Sequence, residues 1–254
     1  MPEGILPDYS RQALTYDQTR GASRSVIAAL REAIDDAAGR RLADIGGGTG
    51  NYAIAFSELG WEPLVIDNSP EMLEQAAAKG LRTLLANAER LPLADRSFDA
   101  VLMISMLHHV DHPRAALEEA KRVLAPGGPL AVKMFSREDV EGLWIYDYFP
   151  SSQPWMIETH PSVGEFQGLL PGAELSRIVL TDLSDASMAA LCGRPELMLE
   201  ERWRRQTSYF ERLERDHRDE LDAGLKRLAD DLDKGRVPNR ESGSATLIAW
   251  QKPE

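Results

Sequence analysis

The amino-acid sequence predicts an α/β protein in which helices cover both faces of a mostly parallel β-sheet. Between about residues 23 and 135, segments with apolar residues at helical spacing alternate with short apolar runs bounded by turn residues. Strands and helices that alternate in this way form parallel sheets with right-handed crossover connections. The 254 residues suit one large domain of this kind, with or without insertions, and 43% hydrophobic residues are sufficient for its core.

The elements of this first half follow one another in a regular order. Helices are predicted at 23–38, 52–59, 70–79 and 113–124. Each is followed by residues that end a helix, namely Gly39, Gly60, Gly80 and the run Pro126-Gly127-Gly128. Strands are predicted at 42–45, 63–66, 81–85, 98–104 and 130–135. The run at 98–104 is largely apolar, which is typical of a strand buried on both faces.

The pattern changes after residue 136. Residues 137–170 are rich in aromatic residues and prolines, which predicts an irregular segment that covers the sheet edge as a lid. Residues 196–234 carry an apolar stripe opposite a charged face, which predicts helix that packs on the sheet or on a partner subunit. Two further strands are predicted at 175–183 and 245–250.

Composition and charge argue against several classes of function. The formal net charge of −12 disfavours a broad nucleic-acid surface, which needs clustered Lys and Arg. The single cysteine, Cys192, rules out an intramolecular disulfide framework and a cysteine-clustered metal site. The N-terminus has no apolar segment, and no stretch approaches the roughly 18 apolar residues of a membrane span. We therefore expect a cytoplasmic protein with neither a membrane nor a nucleic acid as partner.

The first residues with a chemical signature form a glycine loop between a strand and a helix. The strand ends near Asp44, and glycines follow at 46, 47, 48 and 50. Glycines let the backbone turn sharply and let a ligand approach main-chain N–H groups. Asp67 ends the next strand, where a carboxylate can accept hydrogen bonds from both hydroxyls of a ribose. The loop and the acid together predict an adenosine ligand.

The spacing of the glycines helps to choose among adenosine ligands. The dinucleotide fingerprint G-x-G-x-x-G fits badly, because counting from Gly46 places Asn51 where the third glycine belongs. A pyrophosphate is therefore not favoured. An NAD(P)-dependent oxidoreductase on the same kind of sheet stays open as an alternative.

Five motifs along the chain together resemble the class I S-adenosylmethionine-dependent methyltransferases. They lie at 42–50, 65–73, 87–93 with 97–99, 107–110 and 122–128. The resemblance covers residues 9–135 and is closest to the small-molecule group that includes the ubiquinone-biosynthesis enzymes, methyltransferase type 11. It implies a Rossmann-like, mostly parallel sheet of seven strands with helices on both faces, an antiparallel final strand and lid insertions.

The resemblance also implies how S-adenosylmethionine would bind. The backbone of Gly46 and Gly48 would lie along its methionine part. Asp44 would bind the amino end of that part, and Asp67 the ribose hydroxyls. The remaining residues are Asn68, Met72, Asn87, Ala88 and Glu89 around the adenine, Ser105 at the cofactor, and Tyr16 and Arg20 towards the methionine carboxylate. The family commonly has Asp at the position of Asn87, so this chain lacks one negative charge near the adenine amine.

Histidines supply the candidate catalytic groups. His109, with His108 beside it, follows the fourth strand, where α/β sheets place their ligand crevice. His109, or His108 beside it, could act as a general base, and His160 is a second candidate. Alternatively, the His108–His109 pair could only shape its loop, and His160 could be an exposed loop residue. The cluster formed with Asp111 and His112 is not favoured as a metal site, because adjacent histidines on a short loop converge poorly.

The acceptor side of the chain leaves more alternatives. The aromatic residues of 137–170 could line a pocket for a flat or hydrophobic acceptor, or could form the local core of that segment. We expect a small-molecule acceptor, aromatic or hydrophobic, and a monomer or homodimer. The predicted single domain has a helical cap at 1–40, a cofactor-binding core at 41–136 and acceptor-side insertions at 137–170 and 184–240. A non-catalytic S-adenosylmethionine-binding protein is the second alternative function.

Overall fold

The structure is a computed structural model that describes residues 21–180, 187–205, 207–236 and 244–254. Seven strands are found in this part of the chain: β1 Arg41–Ile45, β2 Glu62–Asp67, β3 Arg82–Leu85, β4 Ala100–Ile104, β5 Pro129–Met134, β6 Glu174–Val179 and β7 Ser244–Gln251. The helices of the first half are α1 Arg24–Ile34, α2 Asn51–Glu58, α3 Pro70–Ala78 and α4 Pro113–Val123. Those of the second half are α5 Arg137–Glu141, α6 Ser152–Thr159, α7 Val163–Leu169, α8 Met188–Cys192, α9 Glu201–Arg204, α10 Ser208–Asp216 and α11 Arg218–Asp233.

All seven strands form one sheet in the order β3-β2-β1-β4-β5-β7-β6. The pairs from β3 to β5 are parallel, whereas β7 lies antiparallel between β5 and β6. The strand order reverses at β1 and β4, so the carboxyl ends of these two strands flank a crevice. The prediction of a mostly parallel, seven-stranded sheet with an antiparallel final strand is confirmed.

Each face of the sheet is covered by helices. On one face, apolar residues of α1 and α2 pack against side chains such as Leu42 and Leu102. On the other face, α4 and α7 pack against the alternate side chains, among them Ile45 and Met103. Nearly every side chain of β1, β4 and β5 is buried, because a strand covered on both faces has no side exposed to water.

The segment at 137–170 differs from its prediction. It was expected to be irregular, but it contains α5, α6 and α7 and a short 3₁₀ helix at Trp144–Asp147. Each of the three helices is eight residues or shorter, too short to show a clear apolar period. The residues that indicated irregular structure lie at helix ends, as Gly142 does after α5 and Pro161 after α6.

The charged helical region at 196–234 is also different from its prediction. The backbone leaves the helical conformation at His217, so that α10 and α11 are separate helices. Phe210, Leu213, Leu221 and Leu228 of the expected stripe are buried, but they pack against the aromatic residues of 137–170 rather than on the sheet or on a partner. This lid core, the cluster shared by 137–170 and the helices from α8 to α11, is largely distinct from the cores on the two sheet faces.

The strand predicted at 175–183 is seen as β6, and the end of that prediction falls at 181–186, outside the described residues. Within the described ranges, no helix combines the length and the hydrophobicity that crossing a lipid bilayer requires.

The contact between α11 and the lid aromatics yields a stability prediction. A Cβ atom added at Gly224 would lie 2.6 Å from a ring carbon of Phe149 and 2.6 Å from the carbonyl oxygen of Tyr148. We expect Gly224→Ala to lower the free energy of unfolding by roughly 1–3 kcal/mol, as overpacking of a core does. Urea denaturation followed by circular dichroism measures this change.

The matched control is Gly168→Ala in α7, where an added Cβ would meet no atom within 4 Å. There the alanine only reduces the entropy of the unfolded chain, so the free energy of unfolding should rise by about 0.5–1 kcal/mol. Equal changes in the free energy of unfolding for Gly224→Ala and Gly168→Ala would contradict the close packing of Gly224 against Phe149.

Candidate active site

The glycine loop joins β1 to α2 and is held by the neighbouring strand. The N–H groups of Gly46 and Gly47 both donate to the carbonyl oxygen of Ile66 in β2, at 2.7 and 3.2 Å. Gly46, Gly48 and Gly50 all have φ between 55° and 74°, a region that residues with a Cβ rarely adopt. The loop therefore needs glycine for its backbone conformation as well as for close approach.

The glycines of the loop have different surroundings. A Cβ at Gly46 would lie 2.6 Å from the Cβ of Met106, so this residue packs directly against the segment after β4. A Cβ at Gly48 would meet no atom of the described residues within 4 Å. Within this part of the chain, the backbone at Gly48 thus faces open space, where a ligand can approach it.

Asp67, at the carboxyl end of β2, is tied to the same loop. Its Oδ2 accepts a hydrogen bond from the N–H of Gly48 at 2.9 Å, and its Oδ1 accepts one from the N–H of Ser69 at 3.0 Å. Burial raises the pKa of this carboxyl group, although the main-chain hydrogen bonds act in the opposite direction. A carboxylate has about four acceptor positions, so Asp67 can still accept from a ligand hydroxyl beside its main-chain donors.

Asp44 is the most unusual group of the site. Its side chain is 1% exposed, and neither carboxylate oxygen has a hydrogen-bond partner among the described residues. Burial, with a smaller contribution from the charge of Asp67, raises its pKa to about 7. A buried carboxylate without a partner is costly, and an ammonium group from a ligand would supply the missing donors and charge. The residues present therefore fit the amino end of S-adenosylmethionine.

The segment expected around the adenine is built from two turns. Ser69 caps α3, with its Oγ accepting from the N–H of Met72 at 3.3 Å, and the Met72 side chain is buried. Asn68 is exposed at the start of this turn. Buried Met72 and exposed Asn68 are the two residues that the sequence assigned to the flanks of the adenine ring.

The second turn contains Asn87, Ala88 and Glu89. The side-chain oxygen of Asn87 accepts from the N–H of Glu89 at 2.8 Å, and Glu89 in turn accepts from the N–H of His112 at 2.9 Å. Ala88 is buried between them. Both polar side chains thus hold the turn together, and Asn87 keeps its NH₂ group as a donor.

Ser105 follows β4 and has a positive φ of 53°, which is uncommon for a residue other than glycine. Its N–H donates to the carbonyl oxygen of Lys133, and the Nζ of Lys133 donates to its Oγ, both at 2.7 Å. The Lys133 side chain is 1% exposed. Sequence reasoning did not single out Lys133, although a lone charge inside the apolar run of β5 was a visible signal.

The histidines come together beside Ser105. His108 and His109 form a short 3₁₀ helix, Leu107–His109, with ring centroids 3.7 Å apart. His160, at the end of α6, stacks on His108 at 5.2 Å with the rings 14° from parallel. The two candidate bases, His109 and His160, therefore belong to one cluster around His108. Within the described residues, no group of three or more His, Cys, Asp or Glu is arranged to hold a metal ion.

Most aromatic residues of 137–170 belong to the lid core. The hydroxyl of Tyr146 donates to the carbonyl of Val140 at 2.6 Å, that of Tyr148 donates to Asp231 at 2.8 Å, and Phe149 is fully buried. Trp144 and Trp155 are only partly buried. The sequence left open whether these aromatic residues line an acceptor pocket or form a local core. Tyr146, Tyr148 and Phe149 form a local core.

Tyr16 and Arg20 lie outside the described residues. Cys192 is fully buried in α8, and burial raises the pKa of its thiol to about 12, which leaves it an unreactive core residue.

Comparison with known proteins gives consistent matches. A family described as a methyltransferase domain matches residues 43–132. An uncharacterised methyltransferase of Mycobacterium tuberculosis is 42% identical over 119 residues, which are 45% of this chain and 48% of that protein. The chain thus spans about half the length of the first curated relatives it matches. The ubiquinone/menaquinone biosynthesis C-methyltransferase UbiE of Bordetella parapertussis is 33% identical over 180 residues, 60% of this chain and 69% of that protein.

The match to a solved structure extends over nearly the whole chain. A protein of Anabaena variabilis, described as a methyltransferase from an antibiotic biosynthesis pathway, superposes with a TM-score of 0.77 at 27% sequence identity. The superposition covers 92% of this chain and 99% of that protein. The sheet order, the glycine loop with Asp67, and these matches lead to one conclusion: the chain belongs to the class I S-adenosylmethionine-dependent methyltransferases.

Proposed function

We propose that this chain transfers a methyl group from S-adenosylmethionine to a small-molecule acceptor. The observation that carries the proposal is the buried carboxylate of Asp44, which lies directly under the glycine loop and has no hydrogen-bond partner among the described residues. The Oδ2 of Asp44 lies 2.6 Å from the position that a Cβ at Gly47 would take. A cationic amino group in the crevice would neutralise this carboxylate, whereas the pyrophosphate of a dinucleotide would add negative charge beside it.

The other proposed contacts assume that the amino group of the cofactor lies at Asp44. The open backbone at Gly48, with Gly46 beside it, would lie along the methionine part, and Asp67 would accept from the ribose hydroxyls. Asn68 and Met72 would flank the adenine, with Ala88 and Glu89 near its edge and Asn87 near its amine. The backbone of Ser105 would contact the cofactor. Tyr16 and Arg20 would bind the methionine carboxylate.

The bound cofactor supplies a sulfonium-activated methyl group, so the chain mainly has to align the acceptor with it. Proximity and orientation can lower such a barrier by roughly 7–11 kcal/mol at the upper end. His109 and His160 are the groups proposed to remove a proton from the acceptor. Residues 137–170 and 184–240 would form the acceptor side and close over the crevice.

The chemistry of the acceptor is proposed from the relatives and the site. The Bordetella relative is named a C-methyltransferase of ubiquinone and menaquinone biosynthesis, which supports an aromatic or hydrophobic acceptor for this chain too. The site adds two planar side chains, the imidazole rings of His108 and His160, which stack on each other. We propose that the chain acts as a monomer or homodimer.

Removing the ribose contact tests the proposed cofactor. Asp67→Ala should weaken binding of S-adenosylmethionine about a hundredfold or more, because it removes two charge-assisted hydrogen bonds worth roughly 1.5–3 kcal/mol each. Isothermal titration calorimetry measures the affinity, and NAD should produce no heat with the unaltered protein.

The matched control for Asp67→Ala is Asp99→Ala. Asp99 pairs with Arg41 at the opposite, amino end of the sheet, so its loss should leave the affinity unchanged. Cofactor affinity that survives the loss of Asp67, or binding of NAD in place of S-adenosylmethionine, would refute the proposal.

The raised pKa of Asp44 yields a prediction about stability. Its pKa is about 7 in the folded chain and 3.8 by reference, so the folded state binds more protons between these values and loses stability as pH rises through them. Asp44→Asn does not titrate. Relative to the unaltered protein, its free energy of unfolding should therefore increase by roughly 2–3 kcal/mol between pH 5 and pH 8, at about 1.4 kcal/mol per pKa unit.

Urea denaturation at several pH values measures this difference, and saturating S-adenosylhomocysteine should reduce it by supplying the ammonium group. The control is Asp99→Asn, since the Arg41 guanidinium lowers the pKa of Asp99 and moves its titration below this range. The free energies of unfolding of Asp44→Asn and the unaltered protein could instead differ by the same amount at every pH. That result would show that Asp44 is already neutralised without the cofactor.

A further inference from the structure

Lys133 is a charged residue in the interior of the sheet, and the proposed methyl transfer does not use it. Its side chain is 1% exposed, and all six residues of β5 are buried. An ammonium group is costly to bury unless it is hydrogen-bonded, whereas an apolar side chain carries no such cost in a strand covered on both faces. The hydrogen bonds of the ammonium group therefore indicate what Lys133 does.

Lys133 bonds to Ser105 through both its backbone and its side chain. The register of the parallel pair places Ile104 of β4 opposite Lys133, so Ser105 is the first residue beyond this point. The N–H of Ser105 donates to the carbonyl oxygen of Lys133, and the Nζ of Lys133 donates to the Oγ of Ser105. Both distances are 2.7 Å, so one residue holds Ser105 at its main chain and at its hydroxyl.

The backbone of Ser105 needs such support. Its φ of 53° lies in the left-handed region, where the Cβ of a residue other than glycine comes too close to the backbone. Within the described ranges, Arg96 is the other residue with a Cβ that has a positive φ. A strained conformation of this kind persists only where the surrounding structure fixes it, and such conformations cluster at functional sites. The two bonds from Lys133 are placed to fix it.

The bend at Ser105 determines where the chain goes after β4. The next residue, Met106, is buried, and its Cβ is so close to the glycine loop that a Cβ at Gly46 would be only 2.6 Å away. Contacts therefore run from Lys133 in β5, through Ser105 after β4, to the loop after β1. The carboxyl ends of β1 and β4 flank the crevice, so a change of φ at Ser105 would move Met106 and loosen the crevice between them.

We propose that Lys133 is a positioning residue for the cofactor, because its two bonds hold Ser105 in the left-handed conformation in which Met106 supports the glycine loop. The proposal rests on the proposed binding of S-adenosylmethionine and adds a residue of β5 to those on which that binding depends. Lys133 acts through Ser105 and Met106 rather than on the cofactor. Cofactor affinity therefore depends on how firmly residue 105 is held in its conformation, as well as on the groups that contact the cofactor.

Two substitutions of Ser105 test this dependence in the full chain. Ser105→Ala and Ser105→Gly both remove the hydroxyl that Lys133 binds, but alanine keeps the Cβ that disfavours a positive φ, whereas glycine adopts it readily. Ser105→Ala should therefore bind S-adenosylhomocysteine about tenfold more weakly than Ser105→Gly, the order of magnitude expected for one strained backbone conformation. Isothermal titration calorimetry measures both affinities.

Substitution of Lys133 tests the other side of the contact. Lys133→Met keeps an unbranched side chain in the core but removes the ammonium group, so the affinity for S-adenosylhomocysteine should fall about tenfold. Adding Ser105→Gly to Lys133→Met should recover most of the lost affinity, since glycine needs no support at this φ. A role of Lys133 in core packing alone would not be rescued by a glycine in the neighbouring segment.

The matched control is Lys121→Met, at a partly buried lysine of α4 whose Nζ donates to the carbonyl oxygen of Leu169 in α7. Its affinity for S-adenosylhomocysteine should equal that of the unaltered protein. Backbone ¹³C chemical shifts give a second measurement, because they report the conformation of residue 105 directly. Ser105 should show left-handed shifts in the unaltered protein and lose them in Lys133→Met.

The outcomes separate the two proposals. Failure of the unaltered protein to bind S-adenosylhomocysteine would overturn the proposed methyl transfer itself. If the unaltered protein binds it, three results would overturn only the role of Lys133: equal affinities of Ser105→Ala and Ser105→Gly, no recovery by glycine in Lys133→Met, or left-handed shifts of Ser105 that persist in Lys133→Met. Should Lys133→Met fail to fold, the two Ser105 variants still decide, because both retain the lysine.

Discussion

The carbonyl oxygen of Ile66 accepts hydrogen bonds from the N–H groups of both Gly46 and Gly47, and the rest of the site depends on this anchor. It joins the end of β2 to the loop that follows β1, so two neighbouring strands end at a fixed distance from each other. Asp67, the next residue of β2, can then reach the N–H of Gly48. The same loop covers Asp44 and shields it from water. One backbone contact thereby helps to position both carboxylates, Asp44 and Asp67, at the carboxyl ends of neighbouring strands.

The parallel half of the fold was predictable because its signals are local. Each strand is a short apolar run and each helix has a clear period and a stop residue, as in the helix that ends before Gly80. The lid was not predictable in the same way. Helices as short as α5 and α6 gain their stability from tertiary packing rather than from their own sequence. Phe149 is ordered by contact with Gly224, and no local pattern relates two such distant residues.

The candidate site shows the same division. Asp44 and Asp67 were identified because each ends a predicted strand, and parallel strands bring their carboxyl ends to one edge. The pKa shifts of these carboxyl groups could not be predicted from the sequence. Burial, which raises the pKa of Asp44 to about 7, is a property of the folded loop. The stacking of His160 on His108 likewise depends on where the fold places the end of α6 relative to the turn Leu107–His109. Lys133 is a lone charge among apolar neighbours in β5, and only the fold brings its side chain to Ser105.

The lid has a core of its own, built from Tyr146, Phe149 and the helices α10 and α11, apart from the cores that hold the sheet together. Substitutions that repack this region act on a packing unit to which neither the glycine loop nor Asp67 belongs. Under the function proposed above, acceptor preference would be encoded in one packing unit and cofactor affinity in another, so that each could change separately. One sheet architecture could in that case acquire new substrates without rebuilding the part that binds the methyl donor.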